Sequence, residues 1–118
     1  MVEIRIFQHS ADAESVEAGA VVFREGDDGD VMFAVVDGEV ELSRHGDHIE
    51  TVGSGSIFGE MALIDDGERS ATATATMQSR IVPIDRNQFT YLVQEHPTFA
   101  LQVMKLMSER LRNTNNAL

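Results

Sequence analysis

The side chains with the clearest capacity for chemistry lie between Gly59 and Ser70, where a glycine, a carboxylate and an arginine follow one another. Gly59 precedes a predicted short helix over residues 60–64, whose first backbone N–H groups lack helical partners and attract anions. Arg69 follows a predicted turn at residues 65–67, and its guanidinium can hold two phosphate oxygens at once. With the Ser70 hydroxyl beside it, this spacing indicates a site for a phosphate group.

The carboxylate in this segment needs a different role. Glu60 is not a suitable phosphate ligand, because two negative charges repel each other. Its oxygens can accept a hydrogen bond from a sugar hydroxyl, and we expect Arg69 to help hold the carboxylate in place. These residue types therefore indicate a ligand that contains both a phosphate and a sugar. On the residues alone, a surface salt bridge in a glycine-rich loop is the alternative.

Short strands must position this segment. Asp37-Gly38 lies between two apolar runs and predicts a hairpin, because both positions of such a turn need positive φ. Gly46-Asp47 predicts a second turn. Residues 1–18 are ambiguous, although Val2, Ile4 and Ile6 alternate as in a strand. The spacing of the strands predicts a sandwich or barrel. The predicted strands cover residues 21–23, 31–36, 40–42, 49–52, 71–77 and 81–84.

The pattern becomes helical after Asp85. Asp85 and Gln88 match a capping box, and Pro97 ends one helix and can begin the next. The last helix carries an apolar stripe, which can pack against the strands or pair with a second copy of the chain. The prediction is one α+β domain over residues 1–118, with an antiparallel β-roll at about 19–85 and two C-terminal helices at about 86–113. The stripe consists of Phe99, Val103, Leu106, Met107 and Leu111.

The charge of the chain restricts its partners. The 118 residues include 9 basic and 20 acidic side chains, for a formal net charge of −11. A field of this sign repels nucleic acid and anionic lipid, so we expect neither as a partner. The chain has no cysteine, which excludes disulfides and thiolate metal sites. No apolar run is long enough to cross a bilayer and the N-terminus has no signal-peptide pattern, so a cytoplasmic protein is expected.

Two stretches of the loop resemble a known family. Residues 58–63, Phe-Gly-Glu-Met-Ala-Leu, and residues 69–71, Arg-Ser-Ala, closely resemble the phosphate-binding cassette of the cyclic-nucleotide-binding domain family. That family includes catabolite activator proteins and the regulatory subunits of cyclic-AMP-dependent kinase. Residues 23–30 and 36–40 resemble its glycine turns, and the resemblance extends over about residues 19–111. It implies a jelly-roll-like β-roll with a short phosphate-binding helix, and a protein that is not an enzyme.

The resemblance also implies roles for individual residues. Backbone amides of Gly59, Glu60 and Ala62 would bind the cyclic phosphate together with Arg69. The Glu60 carboxylate would accept the ribose 2′-hydroxyl, and two apolar side chains outside the loop would form a wall for the base. The implied ligand-binding residues are Gly59, Glu60, Met61, Ala62, Arg69, Ser70, Ala71, Val52 and Ile57.

The function implied is that of a sensor. Cyclic AMP is favoured over cyclic GMP as the ligand, although Ser70 does not decide between the bases, and movement of the C-terminal helices would report binding. We expect a second copy of the chain as a partner, in a homodimer formed through the last helix. The alternative is a roll without nucleotide binding that serves as a structural or dimerisation module.

A metal-dependent enzyme would need a third ligand beside His45 and His48, so no metal is expected. No helix-turn-helix follows the last helix, which predicts a free-standing module or an excised domain.

Overall fold

A computed structural model describes residues 4, 6–7, 10–65 and 67–116 of the chain. Two of the predicted features fall partly outside them: Val2 in the N-terminal alternation, and Asp66 in the turn at residues 65–67. Ile4 and Ile6 are described, and neither lies in a strand. The described elements are β1 (Glu14–Val16), β2 (Val21–Phe23), β3 (Val31–Asp37), β4 (Glu39–Arg44), β5 (Asp47–Gly53), β6 (Ile57–Phe58), α1 (Met61–Ile64), β7 (Thr72–Ala75), β8 (Ser79–Asp85), α2 (Arg86–Glu95) and α3 (Pro97–Asn116).

The strands form two antiparallel sheets, in the orders β1-β8-β3-β6 and β2-β7-β4-β5. The first sheet is buried on both faces, because the second sheet covers one face and the helices cover the other. In β3, Val35 packs between the sheets, whereas Met32 and Ala34 pack against a cluster that contains Phe99 and Val103 of α3. Burial on both faces explains why β3 is a continuous apolar run instead of an alternating one. The predicted α+β class and β-roll are confirmed.

The predicted hairpin at Asp37-Gly38 is wrong. The strands β3 and β4 on either side of it belong to different sheets, so the chain crosses from one sheet to the other there. Gly38 has a φ of 102°, and Asp37 is not among the described residues with positive φ. The turn that does have two positive φ values, 54° at His45 and 83° at Gly46, joins the paired strands β4 and β5. It lies one residue before the predicted Gly46-Asp47 turn.

The C-terminal helices follow the sequence pattern closely. Asp85 accepts a hydrogen bond from the Gln88 N–H at 2.8 Å, and the Gln88 side chain accepts one from the Asp85 N–H, which completes the capping box. In α3, Phe99 and Leu106 are buried against the first sheet, whereas Leu111 is exposed. Within the described ranges, no helix is sufficiently long and apolar to span a membrane. The cytoplasmic location stays a prediction.

Candidate functional site

The loop after β6 turns sharply at Gly59. Gly59 has a φ of 77°, and a Cβ at this position would lie 2.8 Å from Nη1 of Arg69 and 3.2 Å from the Phe23 ring. A side chain here would be both strained and crowded, so only glycine suits the position. The single-turn helix α1 follows, with the Leu63 N–H bonded to the Glu60 carbonyl at 3.1 Å and the Ala62 N–H to the Gly59 carbonyl at 3.3 Å.

Arg69 is buried beside this turn, with only 7% of the residue exposed. Its Nη1 donates to the Gly59 carbonyl at 3.1 Å and its Nη2 to the Val31 carbonyl at 2.8 Å. Its Nε is the one buried side-chain nitrogen or oxygen without a hydrogen-bond partner within the described part of the chain. Buried donors are normally satisfied, so an unpaired N–H on a cation indicates that this group has remaining capacity for an anion.

The turn between β2 and β3 holds Arg69 on its other side. The Arg69 N–H donates to the Asp27 carbonyl at 2.7 Å, and the Arg69 Cζ lies 4.1 Å from the centre of the Phe23 ring. A Cβ on Gly29 would overlap Nε and Cζ of Arg69 and lie 2.8 Å from Nη2, so glycine makes the burial possible. Burial lowers the pKa of Arg69, and the attraction of Asp30 and Asp27 only partly offsets this effect. The guanidinium is still protonated at neutral pH.

Glu60 is buried and pairs with Arg110 of α3, not with Arg69 as the sequence predicts. Arg110 Nη1 lies 2.5 Å from Glu60 Oε1, across 50 residues of sequence. Arg110 is absent from the predicted site, although a pattern points to it: it continues the buried face of α3 that runs through Val103 and Leu106. A charged residue on a buried helix face requires a charged or polar partner. The loop and the last helix therefore meet at one ion pair.

The remaining predicted residues of the loop differ in exposure. Met61 and Ser70 are exposed, whereas Ala62 and Ala71 are buried. The Ser70 carbonyl accepts a hydrogen bond from Arg44 Nε at 2.9 Å, so a second arginine lies next to this end of the loop.

The two predicted wall residues lie apart. Val52 packs in the cluster between the two sheets, and Ile57 packs in the cluster beneath the helices. Both are fully buried in the hydrophobic core. The structure therefore does not bring them together as one wall.

A cavity of about 360 Å³ lies away from the Arg69 loop, between the N-terminal segment, β8 and α2. Phe7, Val82 and Tyr91 are among its lining residues, and none of residues 58–71 lines it. The size of a cavity does not by itself identify a site, and none of the described residues that line this one has a basic side chain to attract a phosphate. We therefore assign the candidate site to the Arg69 loop.

The two histidines near the β4–β5 turn have separate partners. His45 Nδ1 lies 3.5 Å from Glu25, and His48 Nδ1 lies 3.0 Å from Glu41. Over the residues that the structure covers, no cluster of three or more His, Asp or Glu side chains could hold a metal ion.

Comparison with known proteins matches residues 13–96 to the family described as the cyclic nucleotide-binding domain. The chain is 31% identical over 105 residues to a CRP-like cAMP-activated global transcriptional regulator of Mycobacterium tuberculosis, covering 85% of this chain and 47% of the regulator. It is 39% identical over 95 residues to a cyclic nucleotide-gated potassium channel of Rhizobium etli, covering 80% and 26%. The Thermus thermophilus catabolite activator protein has a similar structure, with a TM-score of 0.78 and 30% identity over 89% of this chain and 52% of that one. The chain thus spans about half the length, or less, of these relatives.

Proposed function

We propose that this chain, which belongs to the cyclic nucleotide-binding domain family, is a non-enzymatic sensor that binds a cyclic nucleotide at the loop between Gly59 and Arg69. The observation that carries the proposal is the buried Arg69 guanidinium with an unpaired Nε in a protein of net charge −11. Local positive charge is the feature that an anionic ligand needs in such a field. The proposal takes residues 1–118 to form one domain of this kind.

In the proposed complex, Arg69 and the amides of Gly59, Glu60 and Ala62 bind the cyclic phosphate. The Glu60 carboxylate accepts the ribose 2′-hydroxyl, and Met61, Ser70 and Ala71 lie next to the ligand. Arg110 already contacts Glu60, so the sugar would lie beside the last helix. Contact of the base with Val52 or Ile57 would require the core cluster around that side chain to open, because both are fully buried and lie in separate clusters.

This contact also gives a route for the signal. A ligand that engages Glu60 changes the environment of Arg110, and Arg110 belongs to α3. Ligand binding would then shift the population between two arrangements of the C-terminal helices.

Cyclic AMP is the favoured ligand, with cyclic GMP second. The Mycobacterium relative is described as cAMP-activated, which supports this order. A thermal-shift panel with cyclic AMP, cyclic GMP and linear 5′-AMP tests it, because a ligand that binds only the folded state raises the melting temperature. We expect a rise with cyclic AMP, a smaller rise with cyclic GMP and little change with 5′-AMP. An unchanged melting temperature with both cyclic nucleotides would favour the alternative, a structural module without nucleotide binding.

The exposed apolar side chains of α3 support the proposal that the chain forms a homodimer through this helix. Leu101, Met104 and Leu111 are 62%, 57% and 64% exposed, and with Ser108 they follow the three- and four-residue steps of a helix-pairing stripe. We expect the wild-type chain to sediment as a dimer and the Leu101→Glu/Met104→Glu variant as a monomer. The control, Asn113→Glu, adds one charge off the stripe and should remain dimeric. A monomeric wild type at high concentration would refute the dimer.

A further inference from the structure

We infer that Glu50 is a positioning residue for the ligand: it anchors Arg110 and so keeps the Glu60 carboxylate available to a sugar hydroxyl. This inference rests on the proposed function. Glu50 lies in β5 two positions before Val52, and side chains two apart in a strand share a face. Since Val52 packs between the sheets, Glu50 faces the inner side of the roll, where the last helix approaches.

Among the described residues, Arg110 contacts Glu50, Glu60 and the backbone of Ile57. Nε lies 3.0 Å and 3.2 Å from the two Glu50 oxygens, Nη1 lies 2.5 Å from Glu60 Oε1, and Nη2 lies 2.5 Å from the carbonyl oxygen of Ile57. The three side chains are mostly buried, with 17% of Arg110, 28% of Glu50 and 7% of Glu60 exposed. The plane of the guanidinium is therefore fixed by β5, by β6 and by the loop.

The charges explain why the second carboxylate matters. Burial alone would lower the pKa of Arg110, but the attraction of Glu60 and Glu50 outweighs burial and raises it. Two carboxylates share one guanidinium, so neither is fully neutralised. Arg110 contacts Glu60 through Oε1, and we assign the second oxygen, Oε2, to the ribose hydroxyl.

Without Glu50, the Arg110 guanidinium could form a more favourable, bidentate pair with Glu60. An arginine and a carboxylate prefer a bidentate pairing through two parallel hydrogen bonds. Once released from Glu50, Arg110 can turn and pair with both oxygens of Glu60. Oε2 then enters the ion pair and becomes a weaker, less well oriented acceptor for the sugar hydroxyl. Glu50 thus acts on the ligand through Arg110, without touching the ligand itself.

Calorimetric titration with cyclic AMP tests this role in a double-mutant cycle of Glu50→Gln and Arg110→Gln. We expect Glu50→Gln to weaken binding about fivefold or more in the wild-type background and to have little further effect beside Arg110→Gln. Glu41→Gln is the matched control, because it removes the same charge from the neighbouring strand and should leave the affinity unchanged. A purely structural role for Glu50 would lower the melting temperature without changing the affinity of the folded protein.

The outcomes separate the two proposals. A wild type that binds no cyclic nucleotide refutes the proposed function and this inference with it. A wild type that binds, with Glu50→Gln binding equally well or with independent effects of the two substitutions, refutes the role of Glu50 alone.

Discussion

Replacing Arg69 with alanine is expected to weaken cyclic AMP binding about 10- to 100-fold, the equivalent of losing roughly 1.5–3 kcal/mol from a hydrogen bond to a charged group. The reason is that Arg69 is the buried cation of the loop, with one donor unpaired. Arg69→Lys should recover only part of the loss, because an ammonium cannot reproduce the planar fork of a guanidinium. Calorimetric titration at a fixed salt concentration gives the affinities.

Arg80→Ala is the matched control for this substitution. Arg80 is half exposed and pairs with Asp37 at 2.8 Å, so its removal changes the net charge equally without affecting the loop. Circular dichroism must first establish that Arg69→Ala is folded, since the change also removes the donors to the Gly59 and Val31 carbonyls. Equal affinities of folded Arg69→Ala and Arg80→Ala would contradict the role of Arg69.

Gly38→Ala is expected to have the largest effect on stability, lowering the free energy of unfolding by about 3 kcal/mol or more. Gly38 has a φ of 102°, and a Cβ there would overlap Oγ and Cβ of Ser79 and lie 2.6 Å from its Cα. Ser79 is fully buried, and its hydroxyl accepts from the Glu39 N–H at 3.0 Å and donates to the Met77 carbonyl at 2.9 Å. The crowded atoms therefore have no free space to move into.

Gly46→Ala separates the two causes of the lost stability, which are backbone strain at positive φ and overlap of the new Cβ with Ser79. Gly46 also has positive φ, 83°, but nothing lies within 4 Å of a Cβ built on it. Gly46→Ala should therefore show only the backbone strain, about 1–2 kcal/mol. Urea unfolding of both variants gives the comparison, and equal losses at the two glycines would show that contact with Ser79 contributes nothing.

The sequence predicts those parts of the fold that depend on local pattern. The capping box at Asp85 and the helix that begins at Pro97 have the predicted structure, and the strand predicted over residues 71–77 is present as the shorter β7, Thr72–Ala75. Backbone periodicity and capping are decided by neighbours in the chain. The sequence does not predict β1, which is only three residues long, or β6, which has two residues and lies among three glycines. Both strands depend on pairing with distant partners.

The crossing between the sheets at Gly38 shows a second limit of prediction from the sequence. An Asp-Gly pair between apolar runs is compatible with a hairpin or with a change of sheet. Which of the two forms depends on the strands with which β3 and β4 pair. Here β3 pairs with β8 and β6, whereas β4 pairs with β5 and β7. The most distant of those pairs, Val31 and Asp85, is separated by 54 residues (85 − 31), so no short-range pattern reveals it.

The candidate site has the same limit. Gly59, Glu60 and Arg69 are recognisable because they lie within one loop, and the structure places them together. The partners of Glu60 are harder to predict, since Arg110 lies in the last helix and Glu50 in β5. The burial of this helix face predicts that Arg110 has a charged or polar partner. Only the three-dimensional arrangement identifies Glu60 and Glu50 as its partners.

A crystal structure of the wild-type chain with cyclic AMP would test the central claim most directly. We predict the cyclic phosphate within hydrogen-bond distance of the Arg69 guanidinium and the ribose 2′-hydroxyl on the Glu60 carboxylate. A nucleotide bound elsewhere, such as the cavity beside Tyr91, or an empty loop at saturating cyclic AMP would contradict it.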